Sequence, residues 1–335
     1  MRIEVPEWIQ DHVVIASVSG GKDSTALLLA LREAGVAFRA VFADTGWEHP
    51  AVYAYLDYLR VALDIAIDVV SAAKGGMVPH ILHRACFPSR MQRWCTRELK
   101  LEPLRAYHDA VIDTLGQDTC SAVGIRHQES KARAQMPILA FDDQWNGLVW
   151  RPLAHWGVAD VLALHNRHAI KVNPLYQLGH DRVGCWPCIY ANKEEIRLLG
   201  LHDPARVALI AELEQQCVAL RQARNAEHLL AAQAAPGFDA ATYQPRYRFP
   251  NEATFFQAKT LHKVVNAASP TGFSRTGTPM AIQEVIDWAN CARGGRQQVL
   301  FAPSPTGGCM RWGLCDLAAE PLSAPVATGR HPEAP

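Results

Sequence analysis

The chain has 335 residues, 49% of them hydrophobic and 20% charged, which is enough for one large or two small globular domains with a buried core. Its 33 Lys and Arg residues equal its 33 Asp and Glu residues, so bulk charge excludes a strongly basic nucleic-acid binder but leaves a local basic patch open. The charged, proline-containing start MRIEVPEWIQ and the lack of a run of about 18 apolar residues predict a cytoplasmic protein without membrane contact.

Strand and helix patterns alternate through the first half of the chain. Strands are predicted at residues 12–18, 37–44, 65–71, 119–125 and 147–156. Helices are predicted between or after them, at residues 22–35, 49–63, 97–116 and 158–168. This alternation favours an α/β fold with a doubly wound, mostly parallel sheet, in which ligands bind beyond the carboxyl ends of the strands.

The pattern changes after about residue 195, where helices are predicted at residues 203–233 and 278–295. The end of the chain is rich in Ala and Pro and is predicted to be disordered. We therefore predict three parts. They are an α/β domain at residues 1–195, a helical C-terminal region at 196–318 and a disordered tail at 319–335.

The sequence SGGKDS, residues 19–24, follows the first predicted strand and begins the first predicted helix. It is not a Walker A loop, because Ala16 replaces the first glycine of that motif and Asp23 replaces its Ser or Thr. It instead fits a loop whose amides, with the N-terminus of the next helix, bind an anion. The alternative is an ordinary turn capped by Ser24. The predicted anion-binding residues are Ser19, Gly20, Gly21, Lys22, Asp23 and Ser24.

Two further polar segments follow predicted strands and would converge on the same crevice. FADTGWEHP follows the second strand, and its Asp44 either holds magnesium or ribose or caps the next helix. VGIRHQESKAR follows the fourth strand, and its Arg126 and Arg133 lie seven residues apart. If the residues between them are helical, both arginines share a face and could grip phosphate or sulfate; the alternative is a solvated basic face.

Together these motifs resemble the PP-loop ATP pyrophosphatases, the adenine nucleotide alpha-hydrolases, and within them the phosphoadenosine-phosphosulfate (PAPS) reductase family. The later sequence NPLYQLGHDRVGCWPC adds to the resemblance, which covers residues 12–190. It implies a Rossmann-like fold and cleavage of ATP with Mg²⁺ to AMP and pyrophosphate. It also implies nucleotide contacts at Thr45, Gly46 and Gly124, besides catalytic roles for Lys22, Asp23 and Asp44. Reductases of the family commonly lose the loop lysine that this chain keeps, which favours ATP as the nucleotide.

Cys185 and Cys188 form a C-x-x-C pair, which is either a metal chelate or a redox dithiol. Nine cysteines in a reducing compartment favour metal ligands, catalytic thiols or core residues over disulfides. Cys95, in RWCTRELKLEP, is the best candidate for a third ligand. The resemblance favours a 4Fe-4S cluster over zinc, but Trp94 replaces the first cysteine of the family's Cys-Cys pair. The candidates for the fourth ligand, in order of preference, are Cys315, Cys309 and Cys86.

A run of basic residues surrounds Cys95. It either receives a polyanion such as a nucleic-acid backbone or is a solvated helix face that stabilises cluster thiolates. The residues are Arg84, Arg90, Arg93, Arg97, Lys100 and Arg105.

Three functions are compatible with these motifs. The first is an ATP pyrophosphatase that adenylates an acceptor and supports sulfur transfer, with the DNA backbone as acceptor. It resembles the pyrophosphatase of DNA-phosphorothioation systems, which implies cysteine desulfurase and other DNA-modification proteins as partners. The second is a PAPS or adenylyl-sulfate reductase, which would need a mobile cysteine in a Glu-Cys-Gly-Leu-His setting that CMRWGLCD does not provide. The third is a non-catalytic accessory protein that binds nucleotide and an iron-sulfur cluster.

Overall fold

A six-stranded sheet forms the centre of the computed structural model, which describes residues 1–142, 147–256 and 280–291. The strand order is β3-β2-β1-β4-β6-β5, and all neighbours are parallel except β5, which pairs antiparallel with β6. The predicted α/β fold with a mostly parallel sheet is confirmed. The strands are β1 (Val13–Val18), β2 (Phe38–Asp44), β3 (Ile67–Ser71), β4 (Thr119–Ala122), β5 (Leu139–Asp142) and β6 (Gly147–Trp150).

Helices cover both faces of the sheet. Within the described ranges, none has the length and apolar character needed to cross a bilayer. The helices are α1 (Lys22–Glu33), α2 (Pro50–Leu63), α3 (Met77–Arg84), α4 (Glu102–Leu115), α5 (Val158–Arg167), α6 (Lys193–His202), α7 (Pro204–Gln233) and α8 (Ile282–Asn290).

Alternate residues of β1 point to opposite faces of the sheet, as the pleat requires. Val14 and Ala16 pack in the main core with residues of α1, α2 and α5. Ile15 packs on the other face with Val41 of β2 and Val111 of α4. The sheet is therefore buried on both faces, which explains why its central strands are almost uniformly apolar.

The register of the parallel strands brings three loops to one edge of the sheet. Val18 at the end of β1 pairs with Phe42 of β2, and Ala16 pairs with Ala122 at the end of β4. The chain segments that follow β1, β2 and β4 therefore leave the sheet side by side. These are the segments in which the sequence predicts the polar site.

The structure differs from the predicted elements in six places. β4 and β6 end at Ala122 and Trp150, several residues before the predicted ends. The edge strand β5 and the helices α3 and α6 are absent from the prediction. The predicted helix at 97–116 opens with a π-helical turn, Arg97–Leu101, before α4 begins. β5 is only four residues long, so it gives a weak periodic signal in the sequence.

A second hydrophobic core lies between α3, α6, α7 and α8. It combines residues from before residue 195, such as Trp47, Met77 and Trp94, with residues from after it, such as Leu199 and Ile210. The division at residue 195 stays a proposal, and the predicted tail at 319–335 lies outside the described residues.

Glu214 connects α7 to two other segments of this second core. Its carboxylate accepts hydrogen bonds from the Phe255 amide at 2.9 Å and the Ile282 amide at 3.0 Å, and the side chain is buried. We expect Glu214→Ala to lower the free energy of unfolding by about 2–4 kcal/mol, because it leaves two buried N–H groups unpaired. Urea unfolding measures the loss. The control is Glu212→Ala, an exposed position on the same helix, and an equal loss in both variants would contradict this role.

Candidate functional site

The SGGKDS loop is a tight turn held by contacts from distant segments. Gly20 has a φ of +72°, and a Cβ there would lie 3.0 Å from Val52 Cγ1. The side-chain amide of Asn173 donates to the Gly20 carbonyl at 3.0 Å. Gly21 is the N-cap of α1, and no side chain caps this helix. Ser24 is therefore not the N-cap of this helix.

The hydroxyls of the loop bind the loop itself. Ser24 Oγ donates to the Gly21 carbonyl at 3.0 Å and accepts from the Ser19 amide at 3.2 Å. Ser19 Oγ donates to Ser24 Oγ at 3.2 Å. Both serines thus stabilise the turn in this conformation, whereas the sequence predicts that they contact an anion.

Lys22, Asp23 and Arg126 form a chain of ion pairs at the first turn of α1. Asp23 Oδ2 lies 3.0 Å from Lys22 Nζ, and Asp23 Oδ1 accepts from Arg126 Nε at 2.5 Å. Lys22 is 5% exposed and Arg126 3%. Two buried cations therefore contact one carboxylate at the N-terminus of a helix, where the helix dipole is also positive.

Two residues that contact the backbone or side chain of Lys22 were not among the predicted site residues. Tyr176 accepts a hydrogen bond from the Lys22 amide at 3.1 Å, and its ring lies 5.1 Å from Lys22 Nζ. His165 Nε2 lies 2.9 Å from the Lys22 carbonyl oxygen, within reach of a hydrogen bond, and burial lowers the pKa of His165. The amide of Lys22, expected to face an anion, is thus bound to Tyr176.

Gly124 follows β4 and touches the SGGKDS loop directly. A Cβ at this position would lie 2.6 Å from the carbonyl oxygen of Asp23 and 2.9 Å from its carbonyl carbon. Only a residue without a side chain permits this approach of two backbones. Gly124 therefore fixes the spacing between the β4 segment and the loop.

Asp44, at the end of β2, organises the next loop. Its Oδ1 accepts from the Gly46 amide at 2.8 Å and from the Tyr53 hydroxyl at 2.8 Å. Burial and Asp44 raise the pKa of Tyr53, so this hydroxyl stays a donor. His49 Nδ1 caps α2 by accepting from the Ala51 amide, so Asp44 does not serve as the helix cap.

Glu48 is a buried carboxylate that the sequence reasoning missed, although it lies in the quoted FADTGWEHP motif. It is 3% exposed and accepts from Thr45 Oγ1 at 2.8 Å and from the Thr45 and Trp47 amides at 3.2 Å. Its Oε1 also lies 3.9 Å from Cys185 Sγ, and the Glu48 and Cys185 backbones form an isolated β-bridge. Glu48 thus joins the loop after β2 to the C-x-x-C segment.

Arg126 and Arg133 are not on one helix. The chain between them forms two short 3₁₀ turns, His127–Glu129 and Arg133–Gln135, with extended backbone at Ser130. Arg133 is half-buried and pairs with Glu129 at 2.5 Å. Arg126 alone reaches the loop, so the structure brings only one of these two predicted residues to the site.

Cys95, Cys185 and Cys188 lie near one another. Burial and the neighbouring Cys185 and Cys188 raise the pKa of Cys95 to about 11. Lys100 contacts Cys185, and the charge of that cysteine raises the pKa of Lys100. Three thiols beside an ammonium suit thiolate ligation of iron or zinc. Among the described residues, however, no three His, Cys, Asp or Glu side chains are arranged to hold a metal ion.

The fourth predicted ligand, Cys315, and the alternative Cys309 lie outside the described residues. The remaining alternative, Cys86, lies beside Cys217 and Arg221, and burial raises its pKa. Cys120 and Cys217 are buried, one in each of the two main cores.

Comparisons with known proteins agree with the resemblance read from the motifs. Residues 13–191 match the phosphoadenosine phosphosulfate reductase domain family. The chain is 31% identical to an uncharacterised 37.8 kDa protein of Escherichia phage 186, over 88% of this chain and 93% of the phage protein. It is 26% identical to the adenosine 5'-phosphosulfate reductase of Streptomyces coelicolor, over 44% of this chain and 60% of that enzyme. The chain therefore spans less than two thirds of the length of that reductase.

Among solved structures, one match to this chain is phosphoadenylyl-sulfate reductase from Candida auris in a phosphate complex. It shares 18% sequence identity and a TM-score of 0.41, over 52% of this chain and 82% of the reductase.

Proposed function

This chain belongs to the phosphoadenosine phosphosulfate reductase domain family, and from that premise we propose that it is an ATP pyrophosphatase supporting sulfur transfer. It adenylates an acceptor, which we take to be the DNA backbone, and the partners are cysteine desulfurase and other DNA-modification proteins. The observation that carries the proposal is the buried chain Lys22–Asp23–Arg126 at the start of α1. An enzyme that acts on an already activated nucleotide releases no pyrophosphate and needs no pocket for it.

The ion-pair chain supports stabilisation of a leaving pyrophosphate. Lys22 and Arg126 are fixed in place before any ligand binds, since both are buried and both contact Asp23. Preorganised cations in a water-poor site stabilise developing negative charge without reorganisation. Helix α1 adds the partial positive charge of its N-terminus.

Asp44 is the better of the two carboxylates for holding Mg²⁺. Both oxygens of Asp23 are in ion pairs, with Lys22 and with Arg126. The described hydrogen bonds of Asp44 both fall on Oδ1. Magnesium bound there would neutralise part of the charge of the triphosphate.

We further propose that Cys95, Cys185, Cys188 and Cys315 hold a 4Fe-4S cluster. The support is the proximity of the first three thiols and of Lys100, whose positive charge favours thiolates. Such a cluster would supply a sulfide-rich, redox-active centre. Glu48 contacts both the segment after β2 and Cys185, so the two parts of the proposed site share one buried carboxylate.

The function is tested by incubating the anaerobically purified protein with ATP and Mg²⁺, with and without DNA and a cysteine desulfurase. The expected products are AMP and pyrophosphate. If no condition yields pyrophosphate, the proposal is wrong.

Replacing Cys185 by serine is expected to remove most of the bound iron and sulfide, because each thiolate supplies one of the bonds that hold a cluster. Iron, sulfide and zinc assays, with the absorbance at about 400 nm, measure the loss. Cys86→Ser is the matched control and is expected to retain full iron content. Loss of the cluster in Cys86→Ser but not in Cys315→Ser would assign the fourth ligand to Cys86 instead. Zinc without iron in the wild type would contradict the cluster.

A second candidate is a PAPS or adenylyl-sulfate reductase, favoured by relatives that are named adenosine 5'-phosphosulfate reductase. It predicts sulfite formation from one of these nucleotides with thioredoxin. Sulfite formation without pyrophosphate release would favour this candidate over the first.

A further inference from the structure

Two arginines flank one exposed aromatic ring beside the cysteines. The guanidinium carbon of Arg90 lies 5.1 Å from the ring centroid of Tyr190, and that of Arg93 lies 5.4 Å from it. The ring is 37% exposed, and both arginines are exposed. Arg90 Nε also donates to the Ile189 carbonyl at 3.4 Å, which ties the two segments together. We call Arg90, Arg93 and Tyr190 the Tyr190 surface.

The other basic residues around Cys95 already have partners. Arg84 and Arg97 both pair with Glu98 at 2.6 Å, and Lys100 contacts Cys185. Arg90 and Arg93, in contrast, form no ion pair with a carboxylate in the part of the chain that the structure describes. Within the basic run around Cys95, the positive charge open to an external anion therefore lies at the Tyr190 surface.

The Tyr190 surface adjoins two of the proposed cluster ligands. Arg93 stands two residues before Cys95, and Tyr190 stands two residues after Cys188. The Tyr190 amide donates to Cys188 Sγ at 3.5 Å, so the position of the ring is coupled to that thiol. A ligand held on this surface would lie next to the cysteines.

We propose that the Tyr190 surface binds single-stranded nucleic acid. This inference rests on the proposed sulfur transfer, because the bound nucleic acid would be the acceptor presented to the cysteines. The two guanidiniums bind backbone phosphates, for which their planar donors are well suited. The Tyr190 ring stacks with a base, and this combination of cations with an exposed aromatic is typical of single-strand binding. An acidic protein would form ion pairs with the arginines, but it would not account for the exposed Tyr190 ring.

The test measures binding of a fluorescein-labelled oligothymidylate of roughly 20 nucleotides by fluorescence anisotropy, between roughly 50 and 200 mM salt. Arg90→Ala/Arg93→Ala is expected to weaken binding at least about ten-fold and to reduce the salt slope by about 1.4, because two phosphate contacts are lost. Tyr190→Leu is expected to weaken binding with the salt slope unchanged, and Tyr190→Phe to retain it. Arg246→Ala/Arg248→Ala, which removes two exposed arginines from the rings of Tyr247 and Phe249, is the control and is expected to bind normally.

Equal binding by the wild type and the Arg90/Arg93 double variant would overturn the proposal. The proposal would also be wrong if the oligonucleotide bound to a different surface. Preferential binding of polyglutamate over DNA would overturn it too, and would indicate an acidic protein partner. Pyrophosphate release by the wild type is measured in parallel. Release without oligonucleotide binding refutes this inference alone, and binding without release refutes the proposed function.

Discussion

Replacing Lys22 by methionine is expected to lower the rate of pyrophosphate release from ATP by about 10²- to 10³-fold, comparable to removing one fixed donor from a site that stabilises developing charge. Methionine keeps the length and apolar stem of the side chain but removes the ammonium. Lys22 is buried, with its ammonium 3.0 Å from Asp23 Oδ2, so its charge is held in a fixed position. The measurement is steady-state pyrophosphate release, with kcat and KM determined separately.

Lys74→Met removes an exposed lysine and is the matched control, expected to retain wild-type kcat. Because Lys22 acts on charge that develops as the bond breaks, its loss should reduce kcat more than it raises KM. If Lys22→Met is folded, as judged by circular dichroism, and retains wild-type kcat, Lys22 has no role in the reaction. If sulfur transfer in cells survived loss of nucleotide binding in an Lys22/Asp23 double variant, the non-catalytic accessory function would replace both enzyme hypotheses.

Replacing Gly124 by alanine is expected to weaken ATP binding by at least about ten-fold and to lower the free energy of unfolding by about 1–3 kcal/mol. The added methyl would lie 2.6 Å from the Asp23 carbonyl oxygen, so the loop and the segment after β4 must separate. That separation lengthens the contact between Arg126 and Asp23. Isothermal titration with a non-hydrolysable ATP analogue and thermal unfolding measure the two effects.

Gly157→Ala is the control for this substitution, since a Cβ there meets only side-chain atoms, the nearest at 3.3 Å. We expect it to bind the analogue normally. Unchanged binding by Gly124→Ala would show that nucleotide binding does not depend on the position of this loop.

The sequence predicts the strands on which the site is built because the central strands are buried on both faces and carry continuous apolar runs. It predicts the loops because they follow those runs directly. The π-helical turn Arg97–Leu101 is not predictable from the same pattern, since its residues satisfy a helical periodicity and only the hydrogen bonds distinguish it. Helix α6 is missed because it lies between two polar segments and directly precedes α7.

Within the site, the residues of SGGKDS were found because consecutive glycines after a strand are a local signal. Tyr176, His165 and Asn173 contact that loop from 143 to 154 residues away in the chain, and no local pattern indicates such a pairing. Asn173 and Tyr176 lie in the NPLY sequence, so the motif was noticed without the contacts it makes. The sequence does not single out Glu48 beside Asp44, because only the fold reveals that the Glu48 carboxylate is buried.

The packing of Trp47 has a consequence for how the protein can be divided. Its ring stacks on Phe255 at 6.1 Å, and its indole N–H donates to the Pro187 carbonyl at 3.1 Å. Trp47, which directly precedes Glu48, therefore packs against a segment that follows α7. A fragment that stopped at residue 195 would lose the Phe255 ring that covers this indole, next to the proposed site. We therefore expect that shortening the protein to its family-matched segment yields an insoluble product.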